Sequence, residues 1–108
     1  MSDWNEARRA TIARWQGIRA AAGHTHPLDL LEEANAADPL CATAEADRQR
    51  GGEGTRCENC LWYRQFGGCQ ETLGRLNDHI AKRDWVAVRG QADEILAHLE
   101  ILQTPAEI

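Results

Sequence analysis

The sequence predicts an all-α fold: a small helical bundle with a C-terminal antiparallel helical hairpin and an irregular, cysteine-rich, metal-binding loop. Three observations predict it. Apolar residues recur at three- and four-residue steps over residues 3–22 and again over 69–102, the spacing that lines one face of a helix. Glycines 51, 52, 54, 67 and 68 punctuate the middle of the chain, where no period is sustained. All the cysteines fall inside that interruption or at its edges, in the order C-x15-C-x2-C-x8-C.

The first helix is expected over residues 3–22. Ser2 or Asp3 can cap it, and Glu6 follows Asp3 at the spacing of a capping box. Trp4, Ala7, Thr11, Ile12, Trp15, Ile18 and Ala22 form its apolar stripe, and Gly23 ends it. A short second helix over 27–36 is expected to turn Leu28, Leu31 and Ala34 inward. Asp38 followed by Pro39 restarts the chain as a cap with proline at the first helical position, so a third helix covers about 39–48 and carries Cys41. The segment 49–68 reads as loop, with 61–63 the single short candidate for a strand. Cys69, Leu73, Leu76 and Ile80 then share a stripe. Trp85, Val88, Ala92, Ile95, Leu99 and Leu102 follow after a break at 82–84, where Asp84 can cap. So short a turn between two helices implies a hairpin. The last six residues, 103–108, are expected to fray.

At 108 residues the chain is one domain by size, residues 1–108, with the metal-binding loop at 41–69 and the hairpin at 69–102. Hydrophobic residues at 43% and charged residues at 27% place it among soluble globular chains rather than disordered ones. A net charge of −5 argues against nucleic acid and anionic membranes as partners, since both call for a basic field. The N-terminus lacks the basic start and apolar run of a secretory signal, and no stretch approaches the ~18 apolar residues of a membrane span. A cytoplasmic location follows as the expectation. In that reducing compartment clustered cysteines usually ligate metal rather than form disulfides.

Cys41, Cys57, Cys60 and Cys69 are therefore the candidate ligands of one shared centre. Two residues between Cys57 and Cys60 let both sulfurs face one ion, and four soft thiolates suit zinc or an iron–sulfur cluster. Cys41 falls in the first turn of its helix, where the dipole favours a thiolate. Cys57 and Cys60 sit in a polar, glycine-flanked stretch that ill suits the alternative of small buried hydrophobes. A redox-active C-x-x-C is the remaining alternative, but the strand-to-helix setting of thioredoxin-like motifs is missing. Arg48, Arg50, Arg56 and Arg64 outnumber Glu53 and Glu58 around the pair. They either offset an anionic centre or keep a glycine-rich loop in solution.

An isolated cysteine, a C-x-x-C pair and a second isolated cysteine resemble the order in WhiB-type regulators, although the last gap is longer here and their glycine–tryptophan turn is absent. RCENCLWYRQFGGC, residues 56–69, resembles a stretch in small iron–sulfur subunits of glycyl-radical enzymes. Both resemblances imply an iron–sulfur centre, and the second covers about 14 of the 108 residues and misses the helices. Zinc, the commonest intracellular structural metal for thiolates, is placed slightly ahead of a [4Fe–4S] cluster.

His98 lies level with Cys69 across a hairpin that turns near residue 84. It is a substitute ligand or an outer hydrogen-bonding partner, against the plainer reading of a solvent-facing flank histidine. His24 and His26 read as polar linker and His79 as exposed. Trp4, Trp15 and Trp85 fall on stripes and read as core. Trp62, Tyr63 and Phe66 lie in the cysteine segment, where they shield a metal or form a surface for a protein partner. No catalytic motif is recognisable, and a closed four-thiolate site leaves no open coordination position. The expected function is a metal-binding accessory or adaptor protein, whose centre orders a loop for a protein partner. The alternative is an iron–sulfur redox- or oxygen-responsive regulator, or an electron-transfer or accessory subunit of a larger enzyme.

Overall fold

Asp3 starts the first helix: its carboxylate accepts from the Glu6 backbone N–H at 2.8 Å, satisfying one donor that a helix start leaves open. Helix α1 runs Trp4–Ala21. The computed structural model describes residues 3–36, 38–67 and 69–104, with Cys69 and Gln70 described by backbone alone. Along α1 the expected stripe is buried at Trp4, Ala7, Thr11, Trp15 and Ile18, with Ile12 partly covered. Gly23, at φ +86°, carries the chain out of the helix in a conformation open to glycine, and the Trp85 ring lies 3.5 Å from where a Cβ would stand.

Helix α2 spans Pro27–Ala34. His26, read as linker, is its cap: Nδ1 accepts from the Leu28 backbone N–H at 3.1 Å. The inward face differs from the expected one. Leu30 and Ala34 are fully buried, Leu31 is half-buried and Leu28 is 67% exposed. In eight residues several stripes satisfy the helical period equally, and contact with neighbouring helices selects one. Asn35, at the end of α2, exchanges side-chain hydrogen bonds with Asn77 at 2.9 and 3.2 Å, which fastens α2 to α5.

Helix α3, Pro39–Gln49, starts from Asp38 and buries Leu40 and Ala44. The segment expected to be loop is structured over its second half. A 3₁₀ turn covers Cys57–Asn59 and a short helix, α4, covers Leu61–Phe66, so the candidate strand at 61–63 is helical. Six residues show no usable period, and a helix this short is marginal in isolation. Burial of Leu61 and Trp62 in the core holds it instead.

Helices α5, Cys69–Ala81, and α6, Trp85–Ile101, complete the chain. Between them the Arg83 N–H bonds Ile80 O at 3.0 Å and the Asp84 N–H bonds His79 O at 3.0 Å, the two bonds of a Schellman motif, with Arg83 in the left-handed position. Leu76, Ile80, Val88, Ala92, Ile95, Leu99 and Leu102 are fully buried. Trp85 is half-buried, and so is His79, which had been expected in solvent. Helix α1 packs on α6 and α3, α2 on α5, and α5 on α6. The fold is all-helical and compact, and no strand occurs among the described residues. No described helix is long and apolar enough to cross a membrane.

Residues 103 and 104 do not fray. The buried Thr104 hydroxyl donates to Asn5 Oδ1 at 2.7 Å, and Gln103 exchanges two hydrogen bonds with the Gln65 side chain at 2.7 and 2.9 Å. The rest of that expectation, 105–108, lies outside the described residues.

Candidate metal centre

Cys41 is presented to its surroundings by a cap. Asp38 Oδ1 accepts from the Leu40 N–H at 2.8 Å, which sets the first turn of α3 with Cys41 on it. The same carboxylate accepts from the buried Thr11 hydroxyl at 2.9 Å and pairs through Oδ2 with Arg14 at 3.1 Å. Arg14 also donates to the carbonyls of Glu33, Ala34 and Ala36 where α2 ends. One arginine of α1 thus holds the end of α2 and the start of α3 together.

Cys57 is set by a reciprocal bond pair. The Glu58 N–H donates to Thr55 Oγ1 at 3.2 Å, and the Thr55 N–H returns to Glu58 Oε1 at 3.4 Å, the arrangement of a capping box. Asn59, buried between the two cysteines, donates to the carbonyls of Glu53 at 3.0 Å and Thr55 at 2.8 Å, tying the glycine-rich stretch to the 3₁₀ turn. Gly52 makes room for it. A Cβ there would stand 2.5 Å from Asn59 Oδ1 and 3.1 Å from Asp47 O. Gly52→Ala is accordingly expected to lower stability by about 1–3 kcal/mol in chemical denaturation, through overpacking that displaces Asn59. An unchanged midpoint would show that the turn does not depend on this contact.

Cys60 occupies the cap position of α4. Burial pushes its thiol up from the ordinary value. The nearby backbone N–H groups of Tyr63 and Trp62 pull the other way, while the Asp38 carboxylate and Cys57 add to the rise. Helix α4 is fastened on two further sides. Arg64 Nε donates to Glu58 O at 2.8 Å, and the Phe66 ring stacks on His98 at 4.6 Å between centroids.

The three cysteines meet at one cleft of about 530 Å³. Cys41 and Cys57 are half-buried and Cys60 is buried, and Cys57 and Cys60 are free thiols. Trp15, Ala34, Ala42, Trp62 and Leu73 supply apolar wall, and Asp38, Glu45, Arg14 and Arg56 supply charge. Cys69 is the first residue of α5, one turn before Leu73; the ligand role expected of it lies outside the described side chains. Among the described residues, no group of three or more Cys, His, Asp or Glu side chains is drawn close enough to hold a metal ion. Thiols from two stretches of chain nonetheless line one space with apolar walls.

Several sequence expectations land elsewhere. His98 does not line the cleft; it stacks on Phe66. Trp62, one of three aromatics assigned to a partner surface, is buried and lines the cleft, because the helical turn after Cys60 rotates it inward. Tyr63 is 43% exposed and Phe66 is half-buried. Of the four arginines around the cysteine pair, Arg56 alone lines the cleft. Arg48 pairs with Glu45, Arg50 with Asp47, and Arg64 is taken up by a backbone carbonyl. The Arg48 hydrogen bond, with Arg56 adding, holds Glu45 below the usual carboxylate range.

Two cleft residues were not legible as such in the sequence. Arg14 carries no motif. Trp15 reads as core, and it is 1% exposed, but its indole N–H is buried with no acceptor among the described residues. A buried donor left unsatisfied costs about 1–3 kcal/mol. No family model, curated protein or solved structure matches this chain.

Proposed function

We propose that this chain is a metal-binding accessory module, in which a thiolate-held centre orders residues 41–69 for recognition by a protein partner. The observation that carries the reading is the convergence of Cys41, Cys57 and Cys60 on one cleft. Sixteen positions separate Cys41 from Cys57, so neighbourhood in sequence does not explain it. Cys69 is assigned as the fourth ligand from its place one turn before Leu73, which lines the same cleft.

On this reading the chain is a single domain in a reducing, cytoplasmic setting. Helices α5 and α6 act as an antiparallel hairpin that stays rigid while the cysteine segment responds to metal. Tyr63, exposed on α4 directly behind Cys60, is the side chain through which a partner senses the centre. Trp62 shields the metal instead. With four thiolates the coordination shell is closed, which makes the role non-catalytic. A second reading, an iron–sulfur regulator or an electron-transfer or accessory subunit of a larger enzyme, rests on the same thiols, whose soft donors suit a cluster as well as one ion.

Cys57→Ser and Cys60→Ser are each expected to abolish stoichiometric metal retention, measured by elemental analysis of protein purified without oxygen. One equivalent held by either variant as tightly as by the native chain would rule out a shared site.

A further inference from the structure

We propose that Cys57 and Cys60 form a reversible thiol–disulfide couple, closing an intrachain bridge when a small disulfide enters the cleft and reopening on reduction. The couple stands apart from the metal-binding reading, because a bridge needs these two thiols alone.

The backbone sets the pair. The Cys60 N–H donates to Cys57 O at 3.0 Å, closing the 3₁₀ turn Cys57–Asn59 onto the residue after it. Such a turn rises about 2.0 Å per residue at about three residues per revolution, so side chains three positions apart eclipse one another. Residues 57 and 60 therefore stand about 6 Å apart at Cα and lean the same way. A disulfide spans a Cα separation of about 4.4–6.8 Å. An α-helical turn, at about 3.6 residues, would stagger the same pair. The cleft agrees with the eclipsed arrangement, since both cysteines line it.

The turn is also held before any bridge forms. Asn59 donates to the carbonyls of Glu53 and Thr55, and Thr55 and Glu58 cap one another. The bridge closes on residues already placed, so little further ordering opposes it.

Access differs between the two thiols. Cys57 is half-buried and Cys60 is 6% exposed, and the cleft they line has a volume of about 530 Å³. A small disulfide entering there meets Cys57 first. The Cys57 sulfur attacks it, one half of the reagent leaves as a thiol, and a mixed disulfide stands on Cys57. The Cys60 sulfur then attacks the Cys57 sulfur, and the second half leaves as a thiol. One small disulfide is reduced to two thiols, the cysteine pair is oxidised, and the two cysteine protons pass to the departing thiolates. On the metal-binding reading the same bridge withdraws two ligands.

The test uses the full-length chain, first reduced and then exposed to oxidised glutathione in the presence of a chelator. Trypsin separates the cysteines: residues 57–64 carry Cys57 and Cys60, while Cys41 falls in 20–48 and Cys69 in 65–75. Fragment 57–64 is expected to resist alkylation and to weigh two hydrogens less than its reduced form, and dithiothreitol should restore both thiols. The equilibrium constant for the bridge against glutathione should fall about tenfold or more in guanidinium, where the turn is lost. Cys60→Ser should retain glutathione on Cys57 as a stable mixed disulfide; where that variant does not fold, the fragments of the native chain decide alone. A bridge joining 57–64 to 20–48 or to 65–75, glutathione left on 57–64 of the native chain as the end product, or thiols unchanged throughout would each overturn the couple. A constant unaltered by guanidinium would overturn the role of the turn.

Discussion

Leu76→Ala and Ile95→Ala are each expected to lower the free energy of unfolding by about 2–5 kcal/mol, read from urea or guanidinium transitions. Both side chains are at 0% exposure, Leu76 on α5 and Ile95 on α6, and both elements belong to the main apolar cluster. Truncation removes buried methyl and methylene groups and leaves a space that close-packed neighbours fill only in part. Val86 is the internal control. It lies on α6 but is 75% exposed, so Val86→Ala should change stability by no more than about 0.5 kcal/mol. Losses below about half a kcal/mol for both Leu76 and Ile95 would mean that α5 and α6 present other faces to the core.

Asp38→Ala is expected to destabilise the chain by about 2–4 kcal/mol and to weaken metal retention at the same time. The cap of α3 contributes about 1 kcal/mol, and the stranded Thr11 hydroxyl and Arg14 guanidinium add the remainder as buried groups without their acceptor. Thr11 is fully buried, and the Arg14 and Asp38 side chains are only 15% and 12% exposed, so water replaces these bonds poorly. Asp38→Asn separates the contributions. It keeps an oxygen for Leu40 and Thr11 but gives up the ion pair, so it should recover at least the cap. On the proposed metal-binding reading the functional consequence follows from position, because Cys41 lies three residues beyond Asp38 in the turn that this carboxylate sets. Full metal retention in Asp38→Ala, with stability lowered as expected, would show that Cys41 reaches the centre without the cap.

The long helices were legible because their signals are local. Asp3 and Glu6, Asp38 and Pro39, Asp84 and Ala87 carry their meaning within a few residues, and the stripes of α1, α5 and α6 repeat often enough to leave one solution. Helix α2 shows the limit: the sequence reading turned Leu28 inward, and packing buried Leu30 instead. Helix α4 lies beyond it. Nothing periodic marks LWYRQF, and its helicity rests on buried Leu61 and Trp62 and on bonds reaching to Gln103. The Thr55–Glu58 box was present as a spacing in the sequence, hidden by the glycines around it.

By itself the sequence determined the all-helical class, the core stripes of α1, α5 and α6, and a cysteine set whose chemistry suits a soft metal. Those properties depend on residue type and on spacing along the chain, which are local. Only the tertiary structure decided that Cys41, Cys57 and Cys60 meet at one cleft, that Trp62 faces inward while Tyr63 does not, and that His98 stacks on Phe66 away from the thiols. Those outcomes depend on contacts such as Arg14 to Asp38 and Gln65 to Gln103, made between residues 24 and 38 positions apart. No local propensity encodes such contacts; they form because burying the shared core brings the helices into register.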